Sequence, residues 1–213
     1  MAFLIAKKIE MTQTFNQEGN AVPVTLLQAG PCVITQIKTK DKPASAKATA
    51  GKDGYDAVQL GFLQKTKHLK KTDNKKPFKH IKEFKVDLKE QLAKKIDLGD
   101  ELRVDIFKEG DLVQVAGISK GKGFQGGVKR WGFKGRNQTH GVKHEHRTLG
   151  SVGATGPARV LKGKKMPGRA GFQRKVVKNL KVIKIDKENN LIAVKGAVPG
   201  RRGTLIEISS RQY

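Results

Sequence analysis

Between Lys120 and Lys178 the chain carries sixteen Lys/Arg and a single acid, Glu145. These 59 residues hold +15 of the formal +25 of the 213-residue chain, together with 13 of its 24 glycines. Such a stretch is not expected to fold by itself. Like charges repel, glycine is costly to order, and Phe124, Trp131, Phe133 and Phe172 are too sparse to build a core. Order here requires a large polyanion from outside, and structured RNA fits best among cellular polyanions.

Setting that stretch aside leaves about 150 residues, enough for one core. Membrane binding is the rival for so basic a chain, but no amphipathic helix or apolar span is visible. The single Cys32 rules out an internal disulfide framework and suits a reducing cytosol. The opening MAFLIAKK is too short and too quickly charged for a signal peptide, so it reads as a first strand of a cytoplasmic protein.

Alternation predicts strands up to Phe15 and over 21–29, 32–38, 55–62, 102–107, 111–119, 179–186, 191–196 and 203–209. Lys108-Glu109-Gly110 is read as a hairpin loop joining two of them. DKPASAKATAGKDG (41–54) is a low-complexity Ala/Lys loop. The lysine-rich residues 65–84 are expected to be irregular or short helical. Asp87 and Glu90 form a capping box for a helix with Leu88, Leu92 and Ile96 on one face, stopped at Gly99. The simplest architecture is mainly β: one antiparallel β-barrel (1–119 and 179–213) with a helical insertion at about 65–99. The long basic loop 120–178 leaves the barrel and rejoins it. A loop so long without structure is acceptable only because its ordering partner lies outside the chain.

Within the loop, Gly121, Gly123 and Gly126 match the dinucleotide fingerprint, with Glu145 about 20 residues on. Further glycines follow, so no packed helix is expected to receive a pyrophosphate, and the kinase motifs are missing too. The glycines are read instead as sites of close backbone approach to phosphates. His140, His144 and His146 lack a fourth metal ligand and sit beside Lys143 and Arg147, which favours contact with bases or phosphates. Trp131, between Arg130 and Lys134, is either a base-stacking platform or a hydrophobic anchor for the loop itself. The lysines of 65–95 have four acids among them and read as a solvated face. Cys32 has no histidine nearby and reads as packing, and no nucleophile–base pair suggests an enzyme.

The blocks KKIEMTQTF, GKGFQGGVKRWGFKG, THGVKHEHRTLGSVGA, RVLKGKKMPGRAG and NLKVIKIDKENNLIAVKGAVPG, in this order, resemble the bacterial form of the universal large-subunit ribosomal protein family uL3. The resemblance covers nearly the whole chain. It implies a β-barrel of the translation-protein type and an extension threading into large-subunit (23S) rRNA toward the peptidyl transferase centre. It also implies an early role in nucleating subunit assembly, with neighbouring ribosomal proteins as further partners. No enzyme activity, cofactor, metal, membrane or small-molecule substrate is implied.

The expected RNA-binding residues are Lys120, Lys122, Lys129, Arg130, Trp131, Lys134, Arg136, His140, Lys143, His144, His146, Arg147, Arg159, Lys162, Lys164, Lys165, Arg169 and Arg174. The glycines expected to approach the RNA backbone are Gly121, Gly123, Gly126, Gly150, Gly153 and Gly163. Two departures stand out. Glu10 occupies a position where the family usually has Gly, so a bulge or close turn in the first strand is expected to be lost. Ala154-Thr155-Gly156-Pro157-Ala158 carries no glutamine where some bacterial relatives are methylated. A basic DNA-binding protein is one rival. A GTPase fragment sharing the barrel is the other, and it lacks the P-loop it would need.

Overall fold

The computed structural model describes residues 2–38, 55–67, 69–71, 76–86 and 97–210. In chain order the strands are β1 (Phe3–Phe15), β2 (Ala21–Ala29), β3 (Cys32–Lys38), β4 (Ala57–Gln64), β5 (Phe78–Lys85), β6 (Glu101–Leu102) and β7 (Leu112–Ile118). Then come β8 (Phe124–Gln125), the short helix α1 (Gly127–Trp131), β9 (Gly168–Arg169), β10 (Arg174–Asp186), β11 (Leu191–Lys195) and β12 (Leu205–Ser210). The chain forms two compact units, one of residues 1–118 with 174–213, the other Ser119–Gln173.

In the first unit six antiparallel strands close into a barrel, in the order β1-β12-β7-β10-β11-β2. β1 begins with Phe3, Leu4, Ile5 and Ala6 all buried, because this end of the strand is covered on both faces. Leu27, Val113, Val115, Val182, Ile192, Val194, Ile206 and Ile208 join them in one core. Closure gives each of the six strands two neighbours, although the far end of β1, Glu10–Phe15, pairs with β2 alone.

The remaining strands do not enter the barrel. They form a second sheet, β5-β4-β3-β6, that shares the same core through Ile34, Val58, Leu60, Phe62 and Val86. Phe84 on β5 stacks on Phe3 of β1, with ring centroids 4.8 Å apart. The single-barrel expectation is corrected accordingly. β2 passes to β3 through a cis Gly30–Pro31 peptide. Cys32 is fully buried where β3 starts, and its thiol donates to the Ile5 carbonyl at 3.4 Å. Burial pushes its pKa up to about 12, so it is packing rather than chemistry.

Several local readings change. The lysine-rich segment expected to be irregular or helical contains β5, paired with β4 from Ala57↔Lys85 to Gln64↔Phe78. The inward residues Phe78, His80, Phe84 and Val86 do keep a two-residue period, but the intervening lysines hide it. The expected strand over 102–107 is only β6 followed by a 3-10 turn at Val104–Ile106. Val104 and Phe107, three residues apart, are both buried, a spacing that suits one turn and not a strand. β6 pairs with β3, so β6 and β7 are not a hairpin. The register of β1 against β2 slips between Lys8 and Glu10, so a bulge is present at Ile9 despite Glu10. β10 begins at Arg174 as the register partner of Ile118, so Arg174, Lys175 and Lys178 lie on a strand. The helix expected from Asp87 and the Ala/Lys loop fall outside the described residues for 87–96 and 41–54, and no helical insertion is established among the described ones.

Candidate nucleic-acid interface

The second unit, Ser119–Gln173, opens with a two-stranded stem. Ser119 N–H donates to Gln173 C=O at 2.9 Å, Lys122 N–H to Ala170 C=O at 2.9 Å, and Ala170 N–H to Gly123 C=O at 2.9 Å. β8 and β9 then pair antiparallel, with Phe124 opposite Arg169. The strands approach so closely that Gly171, at φ 72°, has the Lys120 carbonyl where a Cβ would stand. Only glycine fits there.

Beyond the stem, α1 makes one turn and stops at Gly132 in the left-handed region (φ 72°, ψ 30°). A helix does follow the glycines of the fingerprint, contrary to expectation. It has only five residues, however, and β8 beside it belongs to an antiparallel two-residue ladder, not to a βαβ unit. The helix presents Arg130 and Trp131 to the returning chain. The Trp131 indole N–H and an Arg130 guanidinium N–H both donate to the Met166 carbonyl, each at 2.9 Å. Arg130 lies 5.0 Å and the Lys165 ammonium 5.7 Å from the Trp131 ring. Of the two roles open to Trp131, these contacts favour the anchor, since its N–H and its π-face are both engaged within the unit.

From Phe133 to Gly150 the chain folds back on itself. Arg136 N–H donates to His146 C=O at 3.0 Å, and Gly135 (φ 74°) sits against that same carbonyl with no room for a Cβ. Arg136 pairs with Glu145, the one acid of the unit. A ring nitrogen of His146 lies 2.7 Å from the Val142 carbonyl, while His140 sits at φ 58° on an exposed turn. Phe133 and Leu149 close over Gly127, which is the only buried residue between Ser119 and Gln173. Residues 151–160 are exposed throughout, and Leu161, Phe124 and Phe172 are exposed as well.

This unit therefore holds thirteen Lys/Arg against one acid, net +12, around almost no apolar interior. Lys120, Lys122, Lys129, Lys134, Lys143, Arg147, Arg159, Lys162 and Lys164 are all exposed, and none makes an ion pair or side-chain hydrogen bond to the described residues. Arg169 lies over the Phe172 ring at 4.7 Å. Arg174 stands apart from the other expected residues. It belongs to the barrel unit, where its guanidinium binds Glu207 at 2.6 Å. Gly121, Gly123, Gly126, Gly150, Gly153 and Gly163 are exposed, although the Gly123 and Gly126 carbonyls already accept from Ala170 and Arg130 N–H and the Gly153 backbone is bonded to the Ser151 hydroxyl. Sequence reasoning missed the Arg130–Trp131–Met166 clasp and the Phe133–Leu149 contact, since nothing local in the sequence links residues 35 or 16 positions apart. Among the described residues no group of three or more His, Cys, Asp or Glu is placed to hold a metal, and no helix is long and apolar enough to cross a membrane.

Comparison with known proteins bears on this basic unit and the barrel together. The family model described as Ribosomal protein L3 matches residues 34–194. The large ribosomal subunit protein uL3 of Thermosipho africanus is 46% identical over 215 residues, covering 98% of this chain and 97% of its own. Its counterparts in Heliobacterium modesticaldum and Thermotoga petrophila are each 47% identical, over 217 and 219 residues, covering 97% and 99% of this chain. Full-length similarity at this level, with a family model that spans all of the basic unit and about three quarters of the chain, places the chain in the Ribosomal protein L3 family.

Proposed function

We propose that the chain is a structural, non-catalytic constituent of the large ribosomal subunit that binds large-subunit rRNA directly through Ser119–Gln173. The carrying observation is a +12 unit whose cations are largely unpaired and whose interior holds one buried glycine. Its relatives are named as large-subunit proteins, and the chemistry of the unit suits that setting. Lysines and arginines bridge phosphates of RNA helices that otherwise repel one another, and exposed glycines let those phosphates reach peptide N–H groups. The barrel, stable by its own core, holds the two ends of the unit at the adjacent residues Ile118 and Arg174. In this reading the protein joins the rRNA early, helps nucleate subunit assembly beside neighbouring large-subunit proteins, and carries its basic unit toward the peptidyl transferase centre. It works on the ribosome, in the cytoplasm.

Sedimentation of the native protein through a sucrose gradient tests the assignment, with co-migration with large subunits as the expected result. Binding to an rRNA transcript should weaken steeply with salt, by on the order of 10³-fold or more between 50 and 200 mM for ~6–10 phosphate contacts. Duplex DNA should compete poorly. Affinity nearly independent of salt, or equal affinity for DNA, rejects the reading.

A further inference from the structure

Three aromatic side chains of the basic unit other than Trp131 stand partly or largely free, and one of them has walls around it. Phe124 and Phe172 are 78% and 62% exposed. Phe133 is half-buried and lies, with Leu149, in an open groove of about 330 Å³ bounded by the segments Phe133–Arg136 and Thr148–Gly150. That volume is at the lower end of the ~300–1,000 Å³ that small-ligand sites span. The floor is apolar, the Lys134 ammonium is unpaired at the rim, and the Arg136 charge is answered by Glu145. The peptide groups of Phe133, Lys134, Leu149 and Gly150 make no hydrogen bond to the described residues.

We infer that this groove is the seat of one unstacked rRNA nucleotide, its base lying on Phe133 against Leu149 and its phosphate meeting Lys134. The inference rests on the rRNA-binding reading and specifies a place within it. A phosphate alone does not suit an apolar floor. A base does, because it offers a flat π-face to an aromatic ring and polar edges to free peptide groups. A paired base is excluded, as its faces are already covered by its neighbours in the helix. The net positive charge around the groove selects a nucleic acid over an acidic-poor protein segment. The stacking role considered for Trp131 thus passes to Phe133, two residues on, because the indole is held by Arg130, Lys165 and Met166.

The test binds the full-length protein to a transcript of large-subunit rRNA and cross-links the complex with ultraviolet light. Peptide sequencing should then find a nucleotide adduct within Phe133–Arg136 or Thr148–Gly150. Phe133→Leu, which keeps the apolar packing without an aromatic face, should weaken binding by about 5- to 100-fold while leaving the salt slope unchanged. Phe133→Tyr should stay within about twofold of wild type, while Lys134→Ala should lower the salt slope by about one. Wild-type binding with no adduct in either segment, or unchanged affinity in Phe133→Leu, overturns the groove assignment and leaves rRNA binding standing. Failure of the wild-type protein to bind the transcript overturns both.

Discussion

Single residues set the tolerances of the basic unit. Gly171 has a positive φ and a carbonyl in the space of its missing Cβ, so two independent constraints fall on one atom. Gly171→Ala should strain the stem by about 1–3 kcal/mol and open its ladder. Trypsin should then cut the free protein at Lys120, Lys122 and Arg169 faster than wild type, whereas Gly156→Ala, with open space around it, should change nothing. Equal cutting rates in the two variants would remove the case for a formed stem. That glycines mattered was legible from their number alone. Which ones are obligatory was not, because the decisive neighbour of Gly171 is Lys120, 51 residues away. The same holds for the clasp at Trp131, whose partner carbonyl belongs to Met166. Sequence spacing shows which side chains are available, and the backbone decides which of them are already occupied.

Elements were legible where apolar alternation was clean. β1, β2, β3, β7, β11 and β12 lie close to where the pattern puts them, since each has one face or one end in the shared core. β5 was hidden by its lysines and the 3-10 turn at Val104 by an accidental alternation, and both errors come from reading residue type without burial. The two sheets are also tied by charge. Glu207 on β12 accepts from Arg174 on β10 at 2.6 Å and pairs with Lys82 on β5 at 3.2 Å. Burial acts to raise the Glu207 carboxyl, but the hydrogen bonds from Arg174 and Lys82 outweigh it and hold the group below its ordinary range. A folded-state pKa below the unfolded one stabilises the protein above the unfolded value, near 4.5, and that contribution is lost as pH falls through the lowered value. Glu207→Gln should therefore cost about 1–2 kcal/mol near neutral pH, between an exposed and a buried pair, and little at low pH. Thermal melts across pH 3 to 7 check this, and a deficit that is constant with pH would refute it.

For the whole molecule, the barrel unit carries the core, and the basic unit concentrates +12 of the net +25 into 55 residues that lack one. Replacing Ser119–Gln173 by a short Gly/Ser linker across the neighbouring ends Ile118 and Arg174 should leave a cooperatively unfolding β-protein, since no buried apolar side chain is removed. Its melting temperature should equal or slightly exceed that of wild type, because a net +12 of mutual repulsion is gone. The same protein should fail to restore large-subunit assembly in cells lacking the intact one. Loss of the cooperative transition would refute the division of labour, and normal subunits would refute the role of the basic unit. The closed ring has a further consequence, in time. β12 supplies the partner of both β1 and β7, so those two seams stay open until Leu205–Ser210 has been synthesised. The basic unit is made before that moment. It leaves the ribosome that translates it while the barrel behind it is still unclosed, so RNA capture and barrel closure have the opportunity to run in either order.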